Sequence, residues 1–202
     1  MNNSNELPFF LLFGQSNIVG RGSLSELGSD HQDLTGIYNY HLGEWISASW
    51  DYRHKSDDLF YVKADSRGGV GPGYFFASSF RSHTRNEIGL LHCAKGGCGI
   101  HEWAQSSKLR IELMNRLSSA QKQGKFIGCL VYIGESDTSC EDHAMSWGST
   151  LLDIINDIRD VSSDPRLPVI YAQISRVSLD RQRRKAHGFK YWEELKAQKK
   201  KK

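Results

Sequence analysis

The stretch Pro8-Phe9-Phe10-Leu11-Leu12-Phe13-Gly14-Gln15-Ser16-Asn17 decides the fold. Its apolar run offers no polar face, so it reads as a strand buried on both sides, and Gly14 ends it in a turn. Working outward, similar runs recur at Glu87–Ala94, Phe126–Tyr132 and Leu167–Ile174, the last opened by Pro168. Amphipathic segments separate them. Residues 73–84 follow Pro72 and place Tyr74, Ala77 and Phe80 on one helical face. Residues 107–122 do the same with Leu109, Leu113, Arg116, Leu117 and Ala120, and residues 147–160 with Leu151, Leu152, Ile155 and Ile158. Apolar strands alternating with such helices predict parallel βαβ units in one α/β domain, a sheet covered on both faces. The segment 14–70, rich in Gly, Ser, Asp, Trp and Tyr, has no assignable period and is expected to lie over the top of the sheet.

Composition narrows the class. A chain of 202 residues fits one domain, and 24% charged residues of both signs argue against disorder or a collagen-like repeat. No apolar run approaches the ~20 residues that span a bilayer. The run at 8–13 is too short for a signal-peptide core and has no basic residue before it, which predicts a cytoplasmic chain without a membrane partner. Between Arg181 and Lys202 stand ten Lys/Arg and two Glu, a surplus of eight against a total of +3, so the preceding 180 residues carry −5. The basic end, residues 199–202, reads as a solvated tail after a domain at 7–198. Nucleic acid is not an expected partner, since the aromatics of the basic stretch 181–202 are confined to one cluster around Tyr191 and Trp192 and are not interleaved with the charges of the rest. Cysteines at 93, 98, 129 and 140 match no zinc spacing, and neither metal nor organic cofactor is expected. Cys93 and Cys129 read as small core residues.

Ligands of open α/β sheets bind at the carboxyl ends of the strands. Gly14-Gln15-Ser16-Asn17 follows the first strand, where a serine in a tight turn either exposes its hydroxyl above the sheet or caps the next element. Lys95-Gly96-Gly97-Cys98-Gly99-Ile100 follows the second, and its glycines either bring backbone N–H groups close to a ligand oxygen or make an ordinary βα loop. Ile133-Gly134-Glu135-Ser136-Asp137 follows the third, with carboxylates that hold the loop or meet a substrate. Neither nucleotide-phosphate fingerprint, G-x-x-x-x-G-K-[ST] or G-x-G-x-x-G, occurs at these turns.

Taken together, GQSN at 14–17, GVGPG at 69–73, AKGG at 94–97 with Trp103, and GESD at 134–137 resemble the sialate O-acetylesterase-like group. That group is carbohydrate esterase family six of the SGNH hydrolases, and the resemblance runs from about Leu11 to Gln198. It implies a three-layer α/β/α sandwich with a five-stranded parallel, flavodoxin-like sheet, and removal of acetyl groups from sugars through a serine nucleophile. Ser16 resembles that nucleophile, with its own N–H and that of Gly97 as oxyanion donors. Arg21 and Asn17 match positions that shape the first loop. Gln15, Gly134, Glu135 and Asp137 match the oxyanion and substrate side of the site. The implied partner is an acetylated carbohydrate.

Two departures stand out. The family's third block usually opens with a glutamine that donates to the oxyanion, and this chain has Ile133, which cannot donate; losing such a donor costs roughly 10²–10³ in rate. The family takes its base from a late D-x-x-H block. The segment Tyr191 to Gln198 resembles the helix before that block, which puts the base beyond Lys202, as in a C-terminally truncated domain, or leaves it absent. Asp51-Tyr52-Arg53-His54 matches D-x-x-H literally but falls in a substrate-side loop. Among the other histidines, His101 is the best internal substitute, His143 reads as a surface residue, His92 as a core one, and His187 lies in the basic tail. The rival reading is a carbohydrate-binding or interaction protein without catalysis, in which Trp45, Trp50, Tyr52 and Trp103 stack on a sugar, although burial in the core is the simpler reading of these aromatics.

Overall fold

The structure is a computed structural model, which describes residues 6–31, 33–50, 60, 69–174 and 190–199. In chain order the elements are β1 (Pro8–Gly14), α1 (Ser16–Val19), β2 (Ile37–His41), β3 (Glu44–Ser47), α2 (Pro72–Thr84), β4 (Ile88–Ala94), α3 (Lys108–Ala120), β5 (Lys125–Tyr132), α4 (Glu141–Ser162), β6 (Val169–Tyr171) and α5 (Trp192–Lys199). One six-stranded sheet has the order β3-β2-β4-β1-β5-β6. Five strands are parallel, as the family resemblance implies, and β3 is added antiparallel to β2 at the edge. The sheet is therefore mixed. Its β2–β3 hairpin lies within the stretch that periodicity left unassigned. Leu42 and Gly43 join the two strands, both at positive φ (49° and 93°), the signature of a type I′ turn.

β1 runs through the middle of the sheet, bonded to β4 on one side and β5 on the other, which is why its sequence is apolar on both faces. Phe10, Leu12, Leu90 and Leu130 face α1 and α2, where they meet Ile18, Tyr74 and Ala77. Phe9, Leu11, Phe13, Cys93, Cys129 and Val131 face the other way, into a core with Leu109, Leu113, Leu117, Ile154, Ile158, Trp192 and Leu195. Those last residues come from α3, α4 and α5, so the architecture is an α/β/α sandwich. Each such side chain removed from water stabilises the fold by roughly 1.5–3 kcal/mol before entropic costs. Arg110 of α3 is almost wholly buried and fastens α4, donating to Asp157 Oδ2 and Asp153 Oδ2 at 2.8 Å each and to the Asp153 carbonyl at 3.0 Å.

The β1–β5 pairing is irregular at one point. Phe9 lies opposite Phe126 and Phe10 opposite Gly128, so Ile127 is an extra residue in β5. Two helical expectations need correction. α4 starts at Glu141, six residues before the apolar period begins, because Glu141 and Asp142 suit a helix N-terminus without contributing to the core. Leu152 is 41% exposed, since it follows Leu151 by one residue and is rotated off the buried face. β6 is shorter than the predicted strand, although Leu167 and Ile174 beyond its ends are buried. No helix among the described residues is long and apolar enough to cross a membrane.

Candidate active site

The carboxyl ends of β4, β1 and β5 are stitched together where the chain leaves the sheet. The Gln15 N–H donates to the Tyr132 carbonyl at 3.1 Å and the Lys95 N–H to the Gly14 carbonyl at 3.0 Å. Gly14 is required here: at φ +152° a methyl group would stand 2.2 Å from the Tyr132 carbonyl oxygen. Three corners thus begin side by side, at residues 14–17, 95–100 and 133–137.

The first corner puts Ser16 at the start of the single-turn helix α1, whose first N–H groups have no intrahelical acceptor. Both neighbours of Ser16 are held by the third corner. The buried Glu135 carboxylate accepts from Gln15 Nε2 at 2.7 Å and from Asn17 Nδ2. Bonds to an ionised acceptor are among the stronger ones in proteins, so the backbone at Ser16 is gripped from either side. Residue 96 of the second corner completes the approach. A methyl group there would stand 4.0 Å from the Ser16 Cβ and 2.6 Å from Arg21 Nη2. Gly97 has φ +77° and faces open space.

The second and third corners are tied to each other. Ser136 Oγ donates to the Gly97 carbonyl at 3.2 Å, and the Ile100 N–H donates to both Asp137 oxygens at 2.8 and 3.0 Å. Asp137 is fully buried. Burial pushes its carboxyl above the usual carboxylate range, opposed by the Ile100 N–H and by His101. His101 Nδ1 lies 3.4 Å from Asp137 Oδ1, and the His101 ring stacks on His143 with centroids 3.7 Å apart and planes 17° apart. Gly134, at φ +137°, starts the third corner beneath Ile174 and Trp147.

Other sequence-predicted residues take different places. Trp103 is fully buried between Phe13, at 4.6 Å between ring centroids, and Phe60, at 5.8 Å. Its apolar bulk fills the core, so it cannot stack on a sugar. Trp45 packs on Phe9 and Tyr40, and Trp50 on Tyr74 and Phe75. Ile133 is buried in the core on the α3–α4 side. Cys93 and Cys129 are core residues, as expected, and His92 reaches Asn39 Oδ1 at 3.2 Å. Asp51, Tyr52, His54 and His187 fall outside the described residues. Sequence reasoning missed the double hold of Glu135 on the two flanks of Ser16, and the His101–His143 stack. The residues of each set are far apart in the chain, and no local spacing signals them.

The family model described as carbohydrate esterase, sialic acid-specific acetylesterase matches residues 6–202. The chain belongs to this acetylesterase family. A curated relative, the Arabidopsis thaliana "Probable carbohydrate esterase At4g34215", is 31% identical over 180 residues, covering 82% of this chain and 68% of its own. The X-ray structure of the Arabidopsis thaliana protein of that designation superposes with a TM-score of 0.75 at 26% identity, over 96% of this chain and 80% of that one. A carbohydrate acetylesterase from Xanthomonas citri shares the fold with a TM-score of 0.66 at 19% identity, over 96% of this chain and 47% of its own. NanS shares it with a TM-score of 0.60 at 18% identity, over 82% and 67%. Of the residues singled out in the sequence of this acetylesterase family member, Gln15, Ser16 and Asn17 lie in the first corner, Gly97 in the second, and Gly134, Glu135 and Asp137 in the third.

Proposed function

We propose that this carbohydrate esterase family member removes O-acetyl groups from an acetylated sugar through an acetyl-enzyme on Ser16. The observation that carries the reading is that Ser16 lies beside Gly96 while Glu135 holds the residues on either side of it. A nucleophile fixed in this way loses little freedom on reaching the transition state. Ser16 Oγ adds to the acetyl carbonyl, and the N–H groups of Ser16 and Gly97 receive the developing oxyanion. The sugar hydroxyl leaves with a proton, and water then hydrolyses the acetyl-serine to acetate. Gln15, Asn17, Gly134, Glu135 and Asp137 position the three corners, and Arg21 lies beside Gly96. The step needs a base to take the Ser16 proton. Among the described residues we assign that role to His101, whose Nδ1 lies 3.4 Å from Asp137 Oδ1.

The test is turnover of 4-nitrophenyl acetate by the 202-residue chain, with Ser16→Ala as the control. Removing a nucleophilic serine costs on the order of 10⁴–10⁶ in turnover in other hydrolases. Equal rates for both proteins would remove Ser16 from the mechanism. A second reading, a carbohydrate-binding protein without turnover, is favoured by Ile133 at the position where the family resemblance implies a donor glutamine. Covalent labelling of Ser16 by a fluorophosphonate argues against it, because labelling requires an activated hydroxyl.

A further inference from the structure

We infer that His101, Asp137 and His143 form a binding site for one divalent transition-metal ion, zinc by preference, at the rim of the three corners. Each of the three offers a ligand atom, and these atoms lie within 4.8 Å of one another. The separation of His101 Nδ1 from Asp137 Oδ1, 3.4 Å, is at the long limit for a hydrogen bond. It is the separation expected of two ligands on one tetrahedral zinc: at about 2.0–2.2 Å from the metal they stand roughly 3.3–3.5 Å apart. The two imidazoles stack face to face with centroids 3.7 Å apart, so one ring must turn for both in-plane lone pairs to meet on one ion. Two neutral imidazoles with one carboxylate suit zinc, cobalt or iron, whereas magnesium and calcium take oxygen ligands.

The surroundings fit as well. Asp137 is anchored by the Ile100 N–H, the kind of outer contact that orients a ligating carboxylate. The His101 side chain is 41% exposed, which leaves a fourth position open to water. The ligands come from three separate segments: the turn Ile100–Trp103, the turn Asp137–Ser139 and the first turn of α4. A bound ion therefore staples the second corner to the third and to α4. The cysteine spacings pointed away from a metal, but they bear only on thiolate sites, and this one contains no cysteine. Metal occupancy and a base role for His101 exclude each other, because both use the same imidazole.

The experiment titrates the metal-free 202-residue chain with Zn²⁺ and, separately, with Co²⁺, by calorimetry and visible absorption, with Mg²⁺ as the comparison ion. Expected are one Zn²⁺ per chain, the absorption of four- or five-coordinate Co²⁺ without a thiolate charge-transfer band, and a Tm raised by Zn²⁺ but not by Mg²⁺. His143→Gln and His101→Gln should each weaken Zn²⁺ binding by at least about tenfold, while Cys140→Ser leaves it unchanged. Zn²⁺ bound as tightly by a folded His101→Gln/His143→Gln double variant, or no binding by the parent chain, would overturn the site. The readouts do not depend on ester hydrolysis; Zn²⁺ bound at His101 would take that imidazole out of the base role and leave Ser16 as the nucleophile to its own test.

Discussion

Replacing Glu135 by alanine tests the idea that this carboxylate holds the nucleophile's neighbours in place. Glu135 and Gln15 are 8% and 2% exposed, so Glu135→Ala strands a buried amide, and a partly buried one at Asn17. A hydrogen bond to an ionised group contributes about 1.5–3 kcal/mol. Two of them, with the Asn17 bond taken at the lower end for its partial exposure, give a loss of about 3–4.5 kcal/mol. That is less than the roughly 5–15 kcal/mol of a typical domain, so the variant should still fold. Glu135→Gln is the informative contrast. Gln15 can turn its side-chain amide over and accept from the new NH₂ group, so both bonds reform without the charge, and about half the loss is expected. Urea unfolding followed by circular dichroism reads the stability. Ester hydrolysis reads the placement of Ser16: kcat should fall by about 10²-fold, as for a misplacement near 1 Å, with a smaller change in KM. Glu135→Ala within about 1 kcal/mol of the parent protein and with unaltered kcat would refute the reasoning.

Other outcomes follow from single features of the fold. Leu42 is 68% exposed at φ +49° in the β2–β3 turn, where asparagine is the better residue. Leu42→Asn should therefore raise stability by about 1 kcal/mol in urea unfolding, and a loss of that size would count against the turn assignment. Burial pushes the Cys98 thiol up to about 12, and burial likewise pushes up the Cys129 thiol. Only a thiolate attacks, so iodoacetamide at pH 8 should modify the half-buried Cys140 in the native protein and reach Cys98 and Cys129 only after denaturation. Peptide mapping of the native, alkylated protein checks this, and early labelling of Cys98 would contradict it.

What was legible in the sequence follows from burial. β1, β4 and β5 are covered on both faces, so Phe9–Phe13 and its counterparts announce themselves as unbroken apolar runs. The helical faces of α2 and α3 were legible for the same reason. β2 was not, because its centre, Asn39, is a fully buried amide that donates to Tyr74 Oη at 2.7 Å, and Tyr74 in turn donates to the Ser49 carbonyl at 3.0 Å. A polar residue in the middle of a strand is satisfied only by tertiary partners, which a local pattern does not contain. The three corners could be located because each directly follows a legible strand. Their mutual bonds could not: Glu135 and Asp137 read as acidic turn residues, and nothing in a five-residue window says that one grips the flanks of Ser16 while the other faces two imidazoles. Trp103 could be read either way, since an aromatic near a glycine turn fits a sugar platform or a core, and its burial bears out the simpler core reading.

The additional residue at Ile127 sits at the foot of the sheet, far from any chemistry, yet it keeps the head in step. Were Ile127 instead to pair with Phe10, every later side chain of β5 would turn over to the opposite layer. Gly134 would then stand where Glu135 now reaches Gln15 and Asn17, in the corner that follows the end of β5 at Tyr132, roughly 17 Å beyond Ile127 at the usual strand rise. The bulge works as a half-step in a gear train: it absorbs one tooth early, so that the wheel bearing the acid meshes with the one bearing the hydroxyl.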